Sequence, residues 1–390
     1  MTTSSIFVFA SDLADEGIET VLDRVAAAGI GGVTLAATYH EGRDVFPHGR
    51  SRRVAFHEEG ALFAPVTGWE RLSLPTSLLA GQHPALVVAA AARSLDLRAW
   101  SVFLHNGVLA RAHPDCAPEN VFGDRYTTEL CPSHPDARAF ARILSAGLAG
   151  AGFATICAES LHFHGFAHGS GHERSFVRLG ARAQFLLGLC LCSHCCAAAP
   201  AVDTDALRSE LRAELELALT SLEPASEQEL ERPEGELDAF LRAREATVAS
   251  LVAECAEAAR AQGATFEVID PSGATKGYAD GLPTGDPAPS IAWQAGLDLA
   301  AVAAACDGIE ALGYALDPAR IGADLDAYGK QAVSLALRPM WPDCDGPQNL
   351  REKIELAEWA FELGRVDFYH YGLMQLEALD WIRAALSSSA

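Results

Sequence analysis

The chain has 390 residues, 49% of them apolar and 21% charged, with a formal net charge of −23. This composition excludes a largely disordered chain. So acidic a surface also repels phosphate backbones and anionic membranes, which argues against nucleic-acid or membrane partners. No apolar run approaches the roughly 18 residues a membrane-spanning helix needs. The longest, Ala85 to Ala92, reads as a helix interior. Met-Thr-Thr-Ser-Ser leads straight into Ile6-Phe-Val-Phe, with no basic region or cleavage site, so no secretory leader is expected. Ten cysteines in a chain this long do not suggest a secreted disulfide framework, and a reducing cytoplasm is the expected location.

Eight short β-branched or aromatic runs alternate with alanine- and leucine-rich stretches of helical period. In chain order the expected strands are Ile6 to Ala10, Gly32 to His40, Ala99 to Asn106 and Ala154 to Leu161. They continue with Ala264 to Asp270, Gly308 to Ala315, Ala332 to Arg338 and Val366 to Met374. Near-continuous apolar runs suit parallel strands buried on both faces. Helices are expected over Ile18 to Ala28, Pro135 to Leu148 and Leu350 to Leu363, and Gly29, Gly152, Gly263 and Gly364 stand where helices should stop. Eight βα units predict a single (β/α)8 TIM barrel over residues 1–390. An open doubly wound sheet is the competitor, but no Gly-x-Gly-x-x-Gly follows the first strand.

Two insertions interrupt the repeat. Residues 41–66 contain the alternating Arg53-Val-Ala-Phe-His, which suits a β-hairpin. Residues 161–262, after the fourth strand, predict a long helical insertion packed at the barrel mouth. It includes helices from Gln184 to Leu191, from Asp203 to Leu222 and from Glu236 onward. From Asp203 to Gln262 there are 15 acidic and 6 basic residues, the pattern of a solvated outer face or an acidic docking surface.

A barrel of this kind works at the carboxyl ends of its strands. That rule selects Tyr39, His40, His105, Asn106, Glu159, Asp270, Arg338, His370 and Tyr371. A polar side chain buried without a partner costs about 1–3 kcal/mol, so one shared pocket is the economical arrangement. Glu159 ends the apolar Thr155-Ile-Cys-Ala and is expected to act as a general acid, its pKa raised by burial. The alternative is a structural carboxylate paired with Arg338 or a loop arginine. Asp270 is the best candidate for a second carboxylate, followed by Asp343, Glu173 and Glu310. After Glu159 come His162, His164, His168 and His172 among glycines and aromatics. Their spacing matches no compact zinc motif, so they are assigned to substrate binding rather than to a metal.

Cys190-Leu-Cys-Ser-His-Cys-Cys is a C-x-C-x-x-C element open to three readings: buried thiols at a helix end, a zinc knuckle, or a redox pair. A zinc site would need His194 or a distant cysteine to complete it. No metal or cofactor is assigned on this basis.

Four segments carry a resemblance to a known group. They are Tyr39-His40 with Pro47-His48 and the following arginines, and Cys131-Pro-Ser-His-Pro-Asp-Ala-Arg. The other two are Glu159-Ser-Leu-His-Phe-His-Gly-Phe-Ala-His-Gly and Cys190 to Cys195. With these the chain resembles an uncharacterised group of glycoside-hydrolase-like (β/α)8 barrels. The resemblance implies a pocket of glycosidase type with Glu159 as acid/base. It would also imply a nucleophilic glutamate at the end of strand seven, where Ala332-Val-Ser-Leu-Ala-Leu-Arg338 has none. The expected function is therefore carboxylate acid/base catalysis on a glycoside or sugar derivative. The alternatives are a metal-dependent sugar isomerase, epimerase or lyase, and a non-catalytic sugar-binding barrel. The expected partner is a small carbohydrate, and self-association is left open.

Overall fold

The computed structural model describes residues 3–166, 174–221, 230–277 and 285–388. Its strands are β1 (Thr3–Val8), β2 (Gly32–Thr38), β3 (Arg43–Val45), β4 (Val54–Phe56), β5 (Asp96–Val102), β6 (Thr155–Glu159), β7 (Thr265–Ile269), β8 (Gly308–Leu312), β9 (Ala332–Leu337) and β10 (Arg365–Phe368). Eight of them close a parallel barrel in the order β1-β2-β5-β6-β7-β8-β9-β10, and β10 pairs back onto β1 with Ile6 opposite Phe368. Strands β3 and β4 form a separate antiparallel pair between β2 and β5.

A helix follows every barrel strand: Ile18–Ala27, His83–Ala92, Pro135–Gly150, Gly235–Arg260, Leu299–Ala305, Pro318–Tyr328, Pro347–Glu355 and Glu377–Ser388. Three of them open on a proline, whose missing N–H costs nothing at a helix start. Gly29, Gly152 and Gly263 follow their helices with φ of 76°, 98° and 87°, the left-handed stop that glycine adopts without a Cβ clash. Gly364 does not play this part. The helix Pro347–Glu355 widens into a π turn at Leu356–Ala360, and the left-handed residue is Glu362, at φ 52°.

Between β6 and β7 lie helices Ala181–Leu187, Ser193–Ala198, Thr204–Thr220 and Gly235–Arg260. The first ends at Leu187, earlier than its apolar sequence suggests, and the chain runs from there into the cysteines. The last packs along Pro135–Gly150.

Side chains alternate across each strand, so every second residue faces the barrel axis. One inward layer is charged. Arg98 of β5 donates to Asp367 of β10 (2.9 Å) and Glu267 of β7 (2.6 Å), and Arg365 grips the same two carboxylates. Nearer the carboxyl ends the interior turns aromatic, with Phe7, Trp100 and Tyr314 among the buried residues of one cluster. The main apolar core fills the space between barrel and helices.

Candidate active site

Glu159 is the last residue of β6, in register with Val102 of β5. The N–H of Phe103 donates to its carbonyl at 2.9 Å. Ser160 takes a left-handed φ of 58°, which turns the chain sharply into the histidine loop. Two residues below Glu159 on the same inward row is Cys157, fully buried, so the carboxyl projects into the barrel mouth. There the indole Nε1–H of Trp100 donates to Oε2 at 2.5 Å. Trp100 is itself held by Phe7, Tyr39 and Tyr369, with ring centroids 5.2, 4.9 and 5.6 Å away. Burial pushes the Glu159 carboxyl above its ordinary pKa, opposed by the charge of His40 and the Trp100 hydrogen bond.

A row of rings leads away from this carboxyl. Tyr39 stacks on His40 (4.1 Å), His40 on His105 (5.0 Å), and His105 lies against His164 (5.4 Å) and His164 against His162 (4.9 Å). These side chains come from the loops after β2, β5 and β6. Burial raises the pKa of the Tyr39 hydroxyl well above its ordinary value, and the neighbouring Tyr369, to which it is hydrogen-bonded, and Glu159 add to this. His40 Nδ1 lies 2.5 Å from the carbonyl oxygen of Glu41 and donates to it. His162 makes the equivalent contact with the Phe163 carbonyl at 2.9 Å. His164 Nδ1 lies 2.7 Å from Glu129 Oε2, both side chains buried.

The remaining candidates are engaged elsewhere. Asn106 caps the helix Gly107–Ala112, its Oδ1 accepting from the Leu109 N–H. Asp270 is fully buried and accepts from Tyr328 Oη (2.5 Å) and from Ser272 N–H (3.0 Å) and Oγ (2.8 Å), which commits it to local structure. Arg338 lies 4.0 Å above the Tyr314 ring and pairs with buried Asp343. His370 is fully buried against Phe9, with its Nδ1 accepting from the Gly372 N–H. Burial, together with His57 and His48, holds it well below the usual histidine range. Tyr371 points instead to Arg24 and Glu16. Glu310, ambiguous in the sequence, turns out to be buried beneath the mouth near Asp367 and Arg365, and burial raises it well above the carboxylate range. His168, His172 and Glu173 lie outside the described residues.

Trp100, Tyr369 and Glu129 were not marked by the sequence reading. Trp100 sits inside an apolar run and reads as core; its signal is that a buried indole N–H needs an acceptor. Glu129 lies in a loop with no periodic signal. A groove of about 670 Å³ elsewhere, lined by Arg232, Glu245, Trp293 and Asp298 among others, includes none of the strand-end residues. Among the described residues, metal-donor atoms converge at a cysteine tetrad, at Asp115–Cys116–His134 and at Cys157–Glu267–Glu310. The histidine row belongs to none of these groups.

No protein-family model and no curated protein matches the sequence. Solved structures do resemble the fold. A β-galactosidase from the psychrophile Marinomonas ef1 aligns over 99% of this chain and 59% of its own, with TM-score 0.58 and 10% identity. A β-galactosidase from the haloarchaeon Halorubrum lacusprofundi aligns over 99% and 57%, with TM-score 0.57 and 12% identity. An α-L-fucosidase isoenzyme from Paenibacillus thiaminolyticus aligns over 100% and 50%, with TM-score 0.54 and 11% identity. The chain thus spans between half and three fifths of these proteins. At such identities the likeness is one of architecture: the protein is a (β/α)8 barrel built as these glycoside hydrolases are built.

Proposed function

We propose that the protein acts on a glycoside or related sugar derivative, with Glu159 as the general acid. The observation that carries this reading is a half-buried carboxyl at the end of β6, its pKa raised, with one oxygen held by Trp100. A carboxyl whose pKa is raised keeps its proton to higher pH than an ordinary carboxyl and can give it to a departing glycosidic oxygen. The Trp100 N–H fixes the orientation of the group through Oε2, and the transferable proton would sit on Oε1. Tyr39, Trp100 and the histidine row offer ring faces and neutral imidazole donors and acceptors suited to sugar hydroxyls.

Hydrolysis also needs a base or nucleophile, normally a second carboxylate. Asp270 is taken up by Tyr328 and Ser272, and β9 leads into Arg338 paired with Asp343. We therefore assign no second carboxylate. The Arg338–Asp343 pair favours a second reading, a barrel that binds a sugar without cleaving it.

A panel of aryl glycosides in α and β forms, covering glucose, galactose, xylose, arabinose and fucose, separates the two. Turnover that falls by about 10²–10⁴-fold in Glu159→Gln, with an unchanged or higher melting temperature, supports the acid role. Full activity in that variant overturns it. Sugar binding by calorimetry with no turnover supports the second reading.

A further inference from the structure

We propose that Cys131, Cys190, Cys192 and Cys195 bind a single structural zinc ion. Cys131 precedes the helix Pro135–Gly150. The other three lie 59 or more residues later, Cys190 and Cys192 on the segment leading into the helix Ser193–Ala198 and Cys195 within that helix. The fold brings all four sulfurs within 4.8 Å of one another, and all four side chains are buried. From Cys131 Sγ the distances are 3.8 Å to Cys190, 3.7 Å to Cys192 and 3.5 Å to Cys195. Tetrahedral zinc with Zn–S near 2.3 Å sets neighbouring sulfurs about 3.8 Å apart. A disulfide would need about 2.05 Å. The distant fourth cysteine that the C-x-C-x-x-C element lacked is thus Cys131, and the expectation of no metal gives way to this site.

A second observation concerns charge. Arg244 is 3% exposed, and its Nε and Nη1 have no hydrogen-bond acceptor among the described residues. Burial works against its charge, and the groups that oppose this most are Cys195, Cys190 and Cys131. Glu245 also offsets that burial, and four neutral thiols would add no counter-charge to it. Zinc displaces one proton from each thiol, four in all, and the resulting tetrathiolate centre carries a net charge of −2. Arg244 also lies 4.3 Å over the ring of Phe163, in the histidine loop. Donors already face the sulfurs: the Glu119 N–H lies 3.4 Å from Cys190 Sγ and Ser133 Oγ lies 3.2 Å from Cys195 Sγ. The ion would join the stretch holding Glu129, two residues before Cys131, to the chain beyond the histidine loop. It would thereby hold Glu129 against His164.

The test uses the full chain purified without chelator, with metal content measured by plasma mass spectrometry. Stoichiometric zinc is expected, lost in Cys131→Ser and Cys192→Ser and retained in Cys196→Ser, because Cys196 lies outside the tetrad. Should the serine variants fail to fold, the wild-type protein exchanged with cobalt(II) still reports, through the strong visible bands of a tetrahedral thiolate site. Wild-type protein that holds no zinc and takes up none, that carries iron instead, or that shows a disulfide within the tetrad overturns the proposal. So does zinc that survives Cys131→Ser, or cobalt spectra without thiolate character.

Discussion

A carboxyl group buried in an apolar setting lowers its desolvation cost by keeping its proton or by gathering donors. Glu159 accepts from Trp100 and has a raised pKa. If its protonated form is the catalyst, activity should persist above the ordinary carboxyl range and fall as pH rises through the raised value. A rate that already falls through the ordinary carboxyl range would contradict this. Asp12 is the clearer thermodynamic case. Its Oδ2 accepts from the Phe9 N–H at 2.8 Å, yet burial pushes it up to about 8. The folded state therefore binds this proton more tightly than the unfolded state, where aspartate titrates near 3.9. The stabilising contribution is complete below about pH 4 and is lost as pH rises toward 8, by up to about 1.4 kcal/mol per pH unit. Asp12→Asn should remove this slope. Urea unfolding of both proteins at mildly acid and mildly alkaline pH reads the difference, and parallel slopes would show Asp12 to be ionised when folded.

Strands carry the next level of constraint. Arg98, Glu267 and Asp367 belong to β5, β7 and β10, and they meet only inside the closed ring. Arg98→Met leaves Arg365 alone to face two buried carboxylates and should cost about 3–5 kcal/mol, measured by urea unfolding. A loss below about 1 kcal/mol would mean that water reaches this layer. The eight strands were legible because parallel strands buried on both faces are apolar from end to end. Their carboxyl limits were not. Tyr39, His105, Asp270 and His370 read as strand residues because side-chain character persists after the ladder has ended, and of the nine strand-end candidates only Glu159 lies in a strand. Sequence position alone brought Tyr39, His40, His105 and Glu159 to the mouth. It could not show that Asp270 faces Tyr328 or that Tyr371 faces Arg24, because those partners lie 58 and 347 residues away. Cys131 escaped for the same reason: no local spacing links it to residues about 60 positions downstream.

For the whole molecule the dominant long-range quantity is the charge of −23. It should keep the protein off duplex DNA and heparin even at low salt, where attraction to a basic protein would be strongest. Retention on heparin at low ionic strength would reveal a basic patch that the net charge conceals. No helix among the described residues is long and apolar enough to cross a membrane. The ring of strands has one further consequence, for synthesis on the ribosome. Arg98 and Glu267 are made well before Asp367, and β1 has only one neighbour until β10 exists. A nascent chain that stops after β9 therefore exposes two open strand edges and carries interior charges still awaiting their partners. Until β10 has left the exit tunnel, a chain with such open edges is a natural client for chaperones.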